Sequence, residues 1–190
     1  FTARRTMMAA QSLYEGIKIG NGDAVGLITY MRTDSLRIAD EALFAAKKYI
    51  VERFGEKYAP KTYNVYKSKK GNVQDAHEAI RPTDINLEPD KIKGSLTADQ
   101  YKLYKLIWER FTASQMSGQL LDVVSVDVEA ACYTLKASGS TVLFDGYTKL
   151  YDEGTDDEKE DELKEQKLPE LKENQKVALF NLSKKQSFTA

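Results

Sequence analysis

The chain has 190 residues, 42% apolar, 10% aromatic and 30% charged, with 4 Pro and 11 Gly, a globular composition rather than a disordered or collagen-like one. A single cysteine, Cys132, and a single histidine, His77, exclude an internal disulfide framework, a multi-cysteine zinc site and a multi-histidine metal centre. No apolar run approaches the roughly 18 residues of a membrane span, so no membrane partner is expected. The net charge of −1 conceals a division: residues 1–118 hold 19 Lys and Arg against 14 Asp and Glu, whereas residues 119–190 hold 9 against 15. Only the first part is suited to meet a polyanion. The chain opens on Phe1-Thr2-Ala3 without Met or a signal pattern, and is expected to be an excerpt of a longer protein.

Thr6–Glu15 carries Met7, Met8, Ser12, Leu13 and Tyr14 on a short helical pattern that Gly16 ends. Leu27–Met31 (LITYM) reads as a short strand. Asp34 or Ser35 is placed to cap a long amphipathic helix, with Ala39, Ala42, Leu43, Ala46, Tyr49, Ile50 and Phe54 recurring every three or four residues until Gly55. Tyr58–Pro89 is rich in turns and lysine, with one helical turn over Asp75–Ile80 that Pro82 halts. Thr97-Ala98-Asp99-Gln100 is a capping box opening another helix, with Tyr101, Tyr104, Ile107, Trp108, Phe111 and Met116 on one face.

After Gly118 the period shortens to two. Val124, Val126 and Val128 alternate with Ser125, Asp127 and Glu129, the pattern of a half-buried strand. Ala137–Ser140 predicts a hairpin turn between strands Tyr133–Lys136 and Thr141–Phe144, Asp145-Gly146 a further turn, and Lys176–Leu182 a last strand. Cys132, beside apolar neighbours, is expected in the core. Asp152–Gln166 holds nine acidic residues and two lysines, the composition of a solvated, mobile loop rather than of a metal site. A helical basic domain over 1–118 is thus followed by an antiparallel β segment over 119–190.

Two stretches could carry chemistry. In Ile28–Ser35 a tyrosine leaves a strand, with an arginine two residues on and a helix start just beyond. Helix N-termini and guanidinium forks both suit phosphate. A protonated phenol is a poor nucleophile, and a nearby guanidinium favours its anion and neutralises charge on an attacked phosphate. The same residues also read as a core aromatic, Tyr30, and a surface charge, Arg32. In Gln74–Thr83 the only histidine, His77, stands beside Glu78 and four residues before Arg81. On a helical turn His77 and Arg81 would share a face and reach one phosphate; a histidine satisfied within a capping turn is the alternative. Lys61–Lys70 interleaves four lysines with Tyr63 and Tyr66, a pattern for single-stranded nucleic acid or for a solvated loop.

Taken together, Gly26–Ser35 (GLITYMRTDS) and, 41 residues later, Ala76–Thr83 (AHEAIRPT) resemble the bacterial type IA DNA topoisomerases. Arg5–Glu15, Thr97–Met116 and Phe144–Tyr151 extend the resemblance over almost the whole chain, apart from the acidic loop and Lys61–Val73. It implies an α+β fold: a helical, winged-helix-like (CAP-like) catalytic-tyrosine domain, 1–118, followed by the returning half of a discontinuous antiparallel β arch or gate, 119–190. Tyr30 would attack a phosphodiester of single-stranded DNA and retain the 5′-phosphate. Arg32 would hold that phosphate, and His77 would position it or move a proton. Asp34, Glu78 and Arg81 fall on matching positions with supporting DNA-binding roles. The implied partner is single-stranded or negatively supercoiled DNA, and the implied location the bacterial cytoplasm, at the nucleoid. Magnesium is implied too, bound by an N-terminal Toprim domain that lies outside the chain. The 190 residues alone are therefore expected to bind no metal, to need the other domains as partners, and to be inactive.

The rival chemistries fit less well. Phosphotyrosyl recombinases place several Arg and His before a C-terminal tyrosine, the reverse of the order here. A winged-helix regulator accounts for the basic part but not for a tyrosine–arginine pair beside a helix start.

Overall fold

The computed structural model describes residues 1–66, 77–151, 168–178 and 181. Contacts gather into two compact units, Phe1–Leu120 with Val142–Gly154, and Leu121–Thr141 with Thr155–Ala190. Among the described residues no helix is long and apolar enough to cross a membrane.

In the first unit, helix α1 (Ala3–Glu15) starts on Thr2, whose hydroxyl accepts from the Arg5 N–H, and stops at Gly16. It buries Ala9, Ala10 and Leu13, while Met7, Met8 and Tyr14 of the helical pattern are exposed. Small alanines, not the methionines, line the side that faces the core. Strands β1 (Ile17–Lys18) and β2 (Ala24–Val25) pair antiparallel, Ile17 opposite Val25, and return the chain to the end of α1. At Gly26 a Cβ would lie 2.7 Å from the Tyr14 carbonyl oxygen, so only glycine fits this approach. The Leu27 N–H then donates to the Leu13 carbonyl at 2.7 Å, satisfying one of the acceptors that a helix end leaves open.

The strand expected over Leu27–Met31 is reduced to one antiparallel bridge, Ile28 to Pro82. The two backbone bonds of this bridge, from the Thr29 N–H to the Arg81 carbonyl and from the Thr83 N–H to the Leu27 carbonyl, flank Pro82, whose missing N–H falls where the ladder needs none. The pairing ends because the Arg81 N–H turns to the Thr29 hydroxyl and the Leu27 N–H to the Leu13 carbonyl. The next expectation fails as well. Helix α2 (Asp40–Phe54) begins at Asp40 behind Ala39, which makes no side-chain cap, rather than at Asp34 or Ser35. The Ser35 hydroxyl accepts from the Arg37 N–H at 3.2 Å and Asp34 binds Arg32, local bonds that compete with capping. Asp40 and Glu41 in the first turn suit the positive helix end instead.

Helix α3 (Pro89–Ile92) leads to α4 (Ala98–Ser114), where Thr97 and Gln100 form both bonds of the predicted capping box. Helix α4 organises the core. The Tyr104 hydroxyl donates to the Leu87 carbonyl (2.8 Å), and Trp108 Nε1 donates to the Ile85 carbonyl (2.9 Å). The Tyr49 ring from α2 meets Trp108 edge-on, with centroids 5.6 Å apart, a favoured aromatic geometry. Leu13, Leu27, Ile28, Ala46 and Phe111 complete the cluster. On the other side of α1, Arg5 pairs with Asp99 and Ser12 accepts from Gln100.

Strands β3 (Leu120–Ala130) and β4 (Tyr133–Phe144) form a two-stranded sheet. They reverse at Ala131-Cys132, where Ala131 has φ 55°. The predicted turn Ala137–Ser140 runs inside β4 instead: its small residues resemble a turn by composition, but the pairing reverses earlier. Cys132, expected in a core, is consequently exposed. The alternation along β3 appears only as partial burial of Val126 and Val128. Lys176–Ala178 form no strand; the rest of that expected strand, apart from Asn181, lies outside the described residues, as do the acidic loop 152–166, Lys67–Lys70, and Asp75 and Ala76.

Burial holds the Tyr104 phenol well above its ordinary value, and burial with the nearby Glu88 carboxylate pushes Tyr49 up to about 12. A value raised on folding leaves stability whole below the unfolded phenol value of about 10 and removes it as pH climbs through the raised values. Urea midpoints of the chain are expected to fall above about pH 10. Tyr104→Phe should flatten that fall while losing the Leu87 bond at neutral pH; parallel slopes for both proteins would contradict the assignment.

Candidate active site

The site is assembled from two segments that lie far apart in sequence. The Thr29 N–H donates to the Arg81 carbonyl (2.9 Å), its hydroxyl donates to the Ala79 carbonyl (2.7 Å), and the same hydroxyl accepts from the Arg81 N–H (3.0 Å). Thr83 repeats the pattern one step along. Its N–H donates to the Leu27 carbonyl (3.0 Å) and its hydroxyl to the Gly26 carbonyl (2.7 Å). The two threonine hydroxyls thus add side-chain bonds to the backbone pair that flanks Pro82.

This clasp brings Tyr30 and His77 together, with ring centroids 5.9 Å apart. Tyr14, at the end of α1, meets the other side of Tyr30 edge-on at 5.4 Å. Tyr30 is 51% exposed, so it is not the core aromatic of the alternative reading. Its ring contacts two others and still leaves about half of the residue exposed. The Arg32 N–H bonds back to the Tyr30 carbonyl at 2.9 Å, which folds the guanidinium towards His77. Arg32 Nε donates to Asp34 Oδ2 at 2.7 Å, and Nη1 faces His77 Nδ1 at 3.5 Å. A guanidinium only donates, so this contact is a hydrogen bond only when Nδ1 carries no proton. Tyr30, Arg32, Asp34 and His77 therefore form one cluster, open to solvent.

Arg81 and Glu78 do something different. His77–Ile80 is not helical, so the shared face expected for His77 and Arg81 does not exist; Pro82 and the clasp keep this backbone out of a helix. Arg81 donates from Nε (3.0 Å) and Nη2 (2.6 Å) to Glu78 Oε2, and from Nη1 to the Pro82 carbonyl (3.0 Å). Their side chains are only 13% and 19% exposed. The pair braces the segment that presents His77. The helix N-terminus expected beside Arg32 is likewise displaced, since α2 starts at Asp40.

These observations join Tyr30, Arg32 and His77 on the two sequence motifs, and the comparison with known proteins decides the family. A DNA topoisomerase family model matches residues 1–190. The chain belongs to the DNA topoisomerase family. It is 47% identical over 191 residues to DNA topoisomerase 1 of Rickettsia felis, covering all of this chain and 24% of that protein. The structure of full-length topoisomerase I from Thermotoga maritima superposes with a TM-score of 0.69 at 38% identity, over 82% of this chain and 24% of that one. The topoisomerase chain thus spans about a quarter of the length of the relatives it matches.

The two carboxylates nearest the cluster in sequence among the described residues are each paired with an arginine, Asp34 with Arg32 and Glu78 with Arg81. Among the described residues no three His, Cys, Asp or Glu side chains gather to hold a metal. Two residues of the site escaped the sequence reading. Tyr14 sits within the matched Arg5–Glu15 string, where only its helical spacing was visible. Thr29 directly precedes Tyr30, and its role depends on a partner 52 residues away.

Thr29→Val is expected to cost about 1–3 kcal/mol by leaving the Ala79 carbonyl and the Arg81 N–H without a partner, whereas Thr29→Ser should stay close to wild type. Urea unfolding with amide exchange at Arg81 measures both, and equal losses in the two variants would remove the hydroxyl from the account.

Proposed function

We propose that this chain supplies the tyrosine-bearing part of a type IA DNA topoisomerase. The complete enzyme would relax negative supercoils without ATP, by cutting one strand, passing another through the gap and resealing the cut. The observation that carries this reading is the exposed Tyr30 ring set beside Arg32 and His77, 45 residues apart in sequence and 3.5 Å apart in space.

In the proposed step the Tyr30 phenol loses its proton and its oxygen bonds to phosphorus. The bond from phosphorus to the 3′-oxygen breaks, leaving a 5′-phosphotyrosine and a 3′-hydroxyl once that oxygen is protonated. Because the phosphotyrosine bond retains the energy of the phosphodiester, resealing is the same step reversed. Arg32 holds two non-bridging oxygens of the attacked phosphate and neutralises the charge that grows there. His77 contacts the same backbone and is placed to move a proton. Asp34, Glu78 and Arg81 support these groups. In this reading the residues around Tyr30 have a winged-helix-like framework, and 119–190 belong to an arch or gate. Magnesium and the acid for the 3′-oxygen belong to a Toprim domain elsewhere in the protein, which works at the bacterial nucleoid. The chain by itself would not relax DNA.

The test uses the full-length protein with a single strand labelled at either end, followed by denaturation. Label is expected on the protein from the 3′ side of the cut, and Tyr30→Phe should abolish the adduct while DNA still binds, because binding rests mainly on phosphate contacts. An adduct of normal yield from the phenylalanine variant would place the nucleophile elsewhere.

Arg32→Lys keeps the charge and loses the two-point grip. Cleavage and religation are expected to drop on the order of 10²-fold, the scale of one lost oxyanion donor, in single-turnover assays. Wild-type rates would reduce Arg32 to a surface charge.

A further inference from the structure

Helix α4 ends in a groove that the Tyr30 site does not use. It is lined by Ala113, Ser114 and Met116 from the end of α4 and by four tyrosines, Tyr63, Tyr66, Tyr147 and Tyr151. Its volume is about 560 Å³, within the range of sites that hold a small organic ligand. The segment that carries Tyr63 and Tyr66 is fastened down. Asn64 Nδ2 donates to the carbonyls of Ser114 (2.9 Å) and Met116 (3.0 Å), and the Tyr66 hydroxyl donates to the Ser114 carbonyl (2.8 Å). The acceptors are carbonyls at the end of α4, where no helical partner remains. The rings nonetheless stay open: Tyr63 is 43%, Tyr66 48% and Tyr147 41% exposed.

Charge completes the description. Lys47 Nζ stands 5.3 Å from the Tyr63 ring centroid, and the Arg110 guanidinium 5.7 Å from that of Tyr151. Among the described residues lining the groove none is Asp or Glu. Aromatic faces held in place with a lysine beside them are elements that bind unpaired bases and their phosphates. Among the described lining residues Val65, Ala113 and Met116 give an apolar peptide little aliphatic surface to bury.

We propose that this groove is a second contact site for single-stranded DNA, in which unpaired bases stack on Tyr63 and Tyr66. It is remote from the chemistry. Tyr30 packs on Tyr14 at the end of α1, and α1 is fastened to α4 at Asp99 and Gln100. The groove takes its α4 residues from Arg110 onwards, about 15 Å along the helix axis from Gln100 at 1.5 Å per residue. The site therefore grips the strand some distance from the attacked phosphate and reads no sequence, since every base has a face to stack. The identity of the ligand as DNA rests on the proposed function; the stacking does not.

The experiment compares the full-length protein with its Tyr63→Ala/Tyr66→Ala and Tyr63→Phe/Tyr66→Phe variants. Each is titrated with a fluorescent oligothymidylate and with an abasic oligonucleotide of equal length. The alanine pair should lose on the order of 10-fold in affinity for oligothymidylate and nothing for the abasic strand, and the phenylalanine pair should bind like wild type. Lys47→Ala should lower affinity for both strands and reduce the salt slope by about one. Unchanged oligothymidylate affinity in the alanine pair overturns the proposal. So does an equal loss on the abasic strand, and so does a lowered melting temperature with affinity intact, the mark of a groove covered by another segment of the protein. Covalent adducts of wild type are scored separately: their absence would refute the chemistry assigned to Tyr30 and leave the stacking result standing.

Discussion

Everything at the candidate active site depends on the hydroxyl of Thr29. It joins the segment that carries Tyr30 to the segment that carries His77 by donating to one carbonyl and accepting from one N–H. Between these segments the ladder is one bridge long, because the Arg81 N–H is spent on the Thr29 hydroxyl rather than on a backbone carbonyl. Threonine supplies a donor and an acceptor from a single side chain at that point. The second segment is in turn carried into the core, where Ile85 and Leu87 offer their carbonyls to Trp108 and Tyr104. An unbroken path of hydrogen bonds and packing thus runs from the most buried aromatics of α4 to an exposed tyrosine. The tyrosine can be open to a ligand and still be well placed.

The helices and the family were legible in the sequence because their signals are local. The capping box at Thr97, the stops at Gly16 and Gly55 and the three-to-four spacing along α2 and α4 all reappear as folded features. Of the candidate site, Tyr30, Arg32 and His77 could be picked out as residue types on strong motifs, and the structure brings them together. What could not be read locally was every feature that depends on a distant partner or on competition between short-range bonds. Asp34 and Ser35 are good caps in isolation, but each has a nearer use, one on Arg32 and the other on the Arg37 N–H. Glu78 and Arg81 look like free charges on a helical face until the backbone around Pro82 turns them on each other. In the β segment the glycine and serines of Ala137–Ser140 outweighed a reversal at Ala131-Cys132 that contains neither glycine nor asparagine. The exposed position of Cys132 follows from that misplacement.

If Arg32 holds the attacked phosphate as proposed, its contact with Asp34 bears on turnover, and each consequence for binding and release rests on that proposal. Before any strand arrives, the guanidinium already holds an anion of its own chain at 2.7 Å. An incoming phosphate must therefore exchange with that carboxylate rather than fill a vacant fork, and part of its attraction is offset by the ion it displaces. On departure the exchange runs the other way: the carboxylate, tethered two residues off, recaptures the guanidinium at a high effective concentration. Such an internal understudy keeps an idle site from clinging to stray polyanions. It also gives a resealed strand a competitor that helps it leave, which suits a reaction whose two directions differ little in energy.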